Sequence, residues 1–293
     1  MKNFFVKWAI VASIILVIIS VGLFGFIKTQ KKVVPIIPSQ NQLESFGPIH
    51  IVIGQSVEGR KIDAYTYGSG KTRLVFVGGI HGGYEWNSVV LAYKFKDYLD
   101  ANPNTIPVSL TITIIPSANP DGVYKVVGKE GRFDAKDVST NKVILASGRF
   151  NGNSVDLNRN FDCKWQPKSM WQSKVVSAGT SAFSEPEALA IRDFTLKNKP
   201  AVVVFWHSQS GNVYASQCEN GILLETINAM NVYAKGSGYN ALKTFDAYAT
   251  TGGADDWLAS VGIPAFTVEL KTHETIEWEE NLSGIKALFE YYK

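Results

Sequence analysis

Two runs in this chain, LVFV at residues 74–77 and AVVVFW at residues 201–206, carry an apolar side chain at every position. A strand with one wet face alternates apolar and polar residues, so runs of this kind belong in the middle of a sheet that is covered on both sides. Three further strand patterns, residues 61–67, 110–115 and 265–270, alternate with helical patterns at 85–99, 185–197, 223–237, 254–261 and 276–292. The alternation predicts an α/β domain: a mixed, mostly parallel central sheet with helices on both faces.

The rest of the chain sets the limits of that domain. Its 293 residues are 45% hydrophobic and 19% charged, enough for one large core and too apolar for disorder. A net charge of +3, with lysines and arginines scattered among the acids, forms no basic stripe, so no nucleic-acid partner is indicated. No internal repeat or low-complexity tract is present, and a single monomeric domain is expected.

The N-terminus departs from this pattern. After a short flank at residues 1–7, residues 8–27 form an uncharged run of 20, which as a helix would be about 30 Å long and match a bilayer core. It predicts a transmembrane anchor. A cleaved signal peptide is the competing reading, against which stand the length of the run and the lack of a small-x-small cleavage site. Lys28, Lys31 and Lys32 offset Lys2 and Lys7 under the positive-inside rule, and the larger C-terminal part is expected outside the cytoplasm. Residues 28–47 read as a spacer and residues 48–293 as the catalytic domain. The only cysteines, Cys163 and Cys218, suit one disulfide in an exported domain or two buried thiols.

The chemistry concentrates at strand ends. Of four histidines, His81 follows the run LVFVGGI and His207 follows AVVVFW, and the carboxyl ends of strands in an open α/β sheet face the ligand crevice. Either one alone reads as a hydrogen-bonded core histidine. Two in matching positions, with Glu85 just beyond a glycine turn in His81-Gly82-Gly83-Tyr84-Glu85, make a His, His, Glu set that leaves a position for water, as in catalytic zinc sites. Glu85 by itself is also an ordinary first-turn helix acid. Glu269 lies in the strand PAFTVEL, where an ionised carboxylate is costly unless paired or beside a metal, and a carboxyl shifted by burial suits a general base. The alternative for Glu269 is a side chain turned to solvent by strand alternation. In Asp156-Leu157-Asn158-Arg159, the amide and guanidinium side by side could grip a carboxylate or form a structural ion pair.

Taken together, IGQSVEGR, GGIHGGYEW, NPDG, VDLNRNF, SEPEA, FWHS, YATTGGADDW and FTVEL resemble, in family order, the zinc carboxypeptidases of the carboxypeptidase A and B type. The resemblance spans residues 53–270, nearly the whole domain. It implies one zinc ion per chain held by His81, Glu85 and His207, with Glu269 as catalytic base and Arg149 polarising the scissile carbonyl. It further implies Asn158 and Arg159 as the pair that binds a terminal carboxylate, Tyr248 closing over it, and Asp156 as the acid that accepts the other ring N–H of His81. Asp255, one residue before the Asp-Trp pair, would line the pocket for the last side chain and favour Lys or Arg there. Its alternative is an acid that merely starts or caps the following helix. One departure stands out: the family spaces its first ligands His-x-x-Glu, whereas His81-x-x-x-Glu85 holds one more residue, which predicts a reshaped turn and a distorted metal site.

The expected function is metal-assisted hydrolysis of peptide bonds, most directly removal of C-terminal residues. The rivals are a peptidoglycan endopeptidase or amidase acting on cell-wall peptides through the same zinc chemistry, and a membrane-tethered binding module that has lost activity.

Overall fold

The computed structural model describes residues 47–293. The run at residues 8–27, with its reading as a membrane anchor, lies outside the described residues. Among the described residues no helix is long and apolar enough to cross a membrane.

One eight-stranded sheet organises the domain. Its strands are β1 (Ile49–Gln55), β2 (Lys61–Tyr67), β3 (Thr72–Val77), β4 (Leu110–Ile115), β7 (Val202–Ser208), β8 (Asn212–Ala215), β9 (Asn240–Leu242) and β10 (Ala265–Leu270), in the order β1-β2-β4-β3-β7-β10-β8-β9. The centre, β4-β3-β7-β10, is parallel. β1, β2 and β8 pair antiparallel towards the edges, so the sheet is mixed and mostly parallel at its core, as the apolar runs predict. Every residue of β4 and β7 is buried.

Strand alternation divides the core in two. Leu74, Phe76, Val204 and Trp206 pack on one face with helices α1 (Trp86–Ala101), α5 (Leu224–Ser237) and α7 (Trp278–Tyr292). Val75, Val77, Val203 and Phe205 pack on the other with α4 (Pro186–Asn198) and α6 (Ala254–Ser260). Fully burying side chains of this size stabilises by about 1.5–3 kcal/mol each, which holds the strand ends in fixed register.

Several elements were not legible in the sequence. These are β1, the short strands β8 and β9, a hairpin of β5 (Lys168–Trp171) and β6 (Lys174–Ser177), and the short helices α2 (Pro120–Val127) and α3 (Lys142–Ser147). Each is too short or too exposed to show a hydrophobic period. Residues 201–206 predict a strand ending at Trp206, but β7 continues through His207 and Ser208, because parallel pairing with β10 sets Glu269 opposite His207. Cys163 and Cys218 form a disulfide with Cα atoms 6.0 Å apart, so the two-thiol alternative is set aside.

Candidate active site

The site begins where β3 ends. Beyond it the chain turns through residues 82–85, a 3-10 turn in which Gly82 has φ +48°. A Cβ on Gly82 would lie 2.5 Å from the Gly148 carbonyl oxygen and 2.8 Å from the Gly122 Cα, so glycine is required on grounds of space as well as backbone. The Tyr84 N–H donates to the His81 carbonyl at 3.2 Å and tightens the turn. The additional residue is taken up in this turn, and Glu85 still folds back on His81.

Three donor groups converge. Glu85 Oε1 lies 2.7 Å from His81 Nδ1, Glu85 Oε2 lies 3.0 Å from His207 Nδ1, and the two Nδ1 atoms are 3.2 Å apart. All three residues are buried, and their donor atoms lie within 4.8 Å of one another. Two imidazole nitrogens and one carboxylate gathered this closely are a donor set that a divalent cation satisfies and that fits the His, His, Glu preference of zinc. Burial alone would raise the Glu85 carboxyl, but the His81 and His207 rings outweigh it and hold the group well below the usual carboxylate range. Burial and the neighbouring Arg149 lower the His81 pKa, whereas Glu85 outweighs burial at His207 and raises its pKa.

The other side of His81 is supported. Asp156 Oδ1 stands 3.5 Å from His81 Nε2, at the outer limit of a hydrogen bond, and that nitrogen has no closer partner. Asp156 Oδ2 accepts from Arg149 Nε at 2.8 Å. Burial works against ionising Asp156, but Arg149 and Arg159 hold its carboxyl far below the normal range. Arg149 is itself buried, with Nη1 3.7 Å from Glu85 Oε1, its guanidinium 4.8 Å from the Trp171 ring centre and Nη2 without a partner. It stands beside the donor cluster.

Two cavities meet at this cluster. The smaller, about 110 Å³, is lined by Asn158, Arg159, Gln217, Asp255, Asp256 and Thr267. The larger, about 680 Å³, is lined by Tyr84, Arg149, Trp171, Ser208 and His273. His81, Tyr214, Phe245, Tyr248 and Glu269 border both. Glu269 therefore faces the crevice, and the solvent-facing alternative fails. Burial first, then the Glu85 charge, pushes its carboxyl up to about 7.

In the smaller cavity Arg159 donates to backbone oxygens, from Nε and Nη2 to Met170 O at 3.1 and 3.0 Å and from Nη1 to Asn158 O at 2.6 Å. These bonds fix the guanidinium at the wall, and among the described residues no acid lies within ion-pair distance of it. Asn158 Oδ1 accepts from the Ala254 N–H at 2.8 Å, which leaves the NH2 end of its amide without a protein partner. Asp255 Oδ2 accepts from Thr267 Oγ1 at 3.1 Å, and Gly253, not an aspartate, occupies the cap of α6. Asp256 Oδ1 accepts from the Gln217 N–H at 2.9 Å, and burial together with Asp255 pushes its carboxyl up to about 7. Tyr248 packs edge-on to Phe245 at 5.0 Å, and Phe245 to Tyr214 at 5.4 Å.

Sequence reasoning missed Tyr84, Trp171, Tyr214, Phe245 and His273 as lining residues. The unusual ligand spacing was a signal for Tyr84; the others come from loops and short strands with no local signature. His50 lies away from the site, paired with Asp63 at 2.8 Å.

Over 242 residues the chain is 28% identical to gamma-D-glutamyl-L-diamino acid endopeptidase 1 of Lysinibacillus sphaericus, a match covering 74% of this chain and 59% of that one. It is 30% identical over 247 residues to carboxypeptidase B of Helicoverpa zea, covering 74% of this chain and 56% of that protein. The chain thus spans less than two thirds of the length of these curated relatives. Among solved structures, murein-tripeptide amidase MpaA from Escherichia coli O157 superposes with a TM-score of 0.56 at 22% identity, over 85% of this chain and 93% of that one. The family model described as zinc carboxypeptidase, peptidase M14, matches residues 49–286, and with that match over the whole described domain and a donor set that fits its metal, the chain belongs to the zinc carboxypeptidase family.

Proposed function

We propose that this protein is a zinc metallocarboxypeptidase that removes C-terminal residues from peptides, with a preference for an end residue bearing an amine or guanidinium. The observation that carries the reading is the small cavity beside the donor cluster, lined by Asn158, Arg159 and Asp255 together. Such a pocket takes one residue with a free carboxylate and a basic side chain, whereas the wide cleft opposite takes the acyl chain.

His81, Glu85 and His207 hold one zinc ion, which when bound supplies Lewis acidity towards a carbonyl and towards water. Asp156 accepts from the other ring nitrogen of His81 and keeps its tautomer. Asn158, Arg159 and Tyr248 bind the terminal carboxylate and orient the scissile bond. Glu269 takes a proton from the attacking water and passes it to the departing amine, and its raised pKa suits both halves of that transfer. The partnerless Nη2 of Arg149 donates to the oxyanion that develops on the carbonyl. The Cys163–Cys218 disulfide supports a domain that works outside the cytoplasm; we infer besides that it acts on peptides or cell-wall peptides as a monomer, with residues 8–27 as its anchor.

A second reading, hydrolysis of peptidoglycan peptides by an endopeptidase or amidase, is supported by the similarity to the Lysinibacillus endopeptidase and the murein-tripeptide amidase. Diaminopimelate also carries an amine, and the same Asp255 would serve it.

One experiment tests both. The domain from residue 47 is assayed for metal content and for hydrolysis of peptides ending in Lys, Arg, Phe or diaminopimelate, each with a free or amidated carboxyl. About one zinc per chain and release of the last residue only from free-carboxyl peptides support the carboxypeptidase. Cleavage that ignores the terminal carboxylate supports the second reading, and no zinc with no cleavage returns the domain to a binding role. Replacing Glu269 with Gln is expected to abolish turnover while zinc content is retained.

A further inference from the structure

The lengthened ligand turn has a side chain as well as a backbone. Tyr84 is half-buried and lines the acyl-side cleft. Its ring meets Trp171 edge-on at 5.0 Å and His273 at 4.7 Å, and the Arg149 guanidinium lies 6.0 Å from its centre. Trp171 comes from the end of β5 and His273 from the segment after β10, so one residue of the lengthened turn joins two distant elements into a single aromatic wall. His273 is fixed from behind, its Nδ1 2.7 Å from Ser208 Oγ, and Trp171 is backed by Phe150 at 5.9 Å. Among the described residues no hydrogen bond uses the Tyr84 hydroxyl, and Tyr84 lines the same cleft as Arg149, Tyr248 and Glu269.

We propose that Tyr84 is a specificity-determining residue that contacts the substrate on the amino side of the scissile bond. Its ring, continuous with Trp171 and His273, packs against the side chain next to that bond, and its hydroxyl donates to a carbonyl of the acyl chain. The inference rests on the reading that the larger cleft holds an acyl chain. It assigns the lengthened His81-x-x-x-Glu85 turn a substrate contact, since a spacer alone needs no aromatic side chain and no free donor.

The test compares peptides that share a C-terminal residue and carry one, two or three residues before the scissile bond. For the wild type, kcat/KM is expected to rise with acyl length. Tyr84→Phe is expected to lower the ratio of long-peptide to short-peptide kcat/KM by about fivefold, the value of one net hydrogen bond, and Tyr84→Ala to lower it further, with zinc content unchanged in both. Calorimetric binding of the same peptides in a Glu269→Gln background reads the contact without turnover. Length-dependent binding that Tyr84→Phe weakens, with no hydrolysis by the wild type, would sink the carboxypeptidase reading and leave the Tyr84 contact standing. Equal effects of Tyr84→Phe on short and long peptides, or binding that does not depend on acyl length, overturn the contact whether or not peptides are cleaved.

Discussion

Replacing both cysteines by serine separates what the Cys163–Cys218 bond does for the fold from what it does for the pocket. Cys163 follows the turn that carries Asn158 and Arg159, and its carbonyl accepts from the Gly252 N–H at 2.8 Å. Cys218 follows Gln217, whose N–H holds Asp256 at 2.9 Å. The bond therefore ties two walls of the smaller cavity across a sequence separation of 55. Chain-entropy arguments for a loop of that length give about 4 kcal/mol of stabilisation through the unfolded state. For a domain of this size that corresponds to a fall in Tm of roughly 10 °C. Calorimetric melting at fixed zinc, since metal binding to the native state also raises Tm, measures the first effect. Steady-state kinetics on a peptide with a basic end residue measures the second, expected as a rise in KM larger than the loss in kcat. A Tm lowered by less than about 3 °C, together with an unchanged KM, would refute the argument that this bond spans and fixes the pocket.

Three further outcomes are expected. Asp255→Ala should lower kcat/KM for a Lys end residue relative to a Phe end residue by about 10- to 100-fold, the range for a hydrogen bond to a charged group; equal loss on both peptides would remove Asp255 from end-group selection. Gly82→Ala should cost at least about 1–2 kcal/mol from its left-handed backbone, plus the clash with Gly148 and Gly122, read as lower stability and weaker zinc retention on dialysis. Asp256 has a folded pKa of about 7 against an unfolded value near 4, so the folded state holds the extra proton and stability falls as pH rises from about 4 to about 7. Asp256→Asn should therefore gain on the wild type by about 4 kcal/mol between pH 4 and pH 8, measured by denaturant unfolding; a gap that does not change with pH counts against the raised pKa.

Much of this domain is written in local patterns. Runs such as AVVVFW have no polar position to face water, which requires a sheet covered on both sides, and the histidines that follow those runs must then lie at strand ends. Glu269 is legible for a related reason: a lone carboxylate in an apolar strand is too costly to keep without a partner. Tertiary structure decided the rest, because it depends on distances between residues far apart in the chain. Sequence left open whether Cys163 pairs with Cys218, and the packing of two loops brings their Cα atoms to 6.0 Å. The Arg159 guanidinium stands ready for an ion pair in sequence, yet in the fold it is anchored on the carbonyls of Met170 and Asn158. Tyr84, Trp171 and His273 belong to a turn, a hairpin strand and a loop with no common period, so only the folded backbone makes them one wall. Periodicity and the cost of burying charge act along a few neighbouring residues and can be read from sequence, whereas contacts between distant loops are settled only when the sheet and its helices have packed.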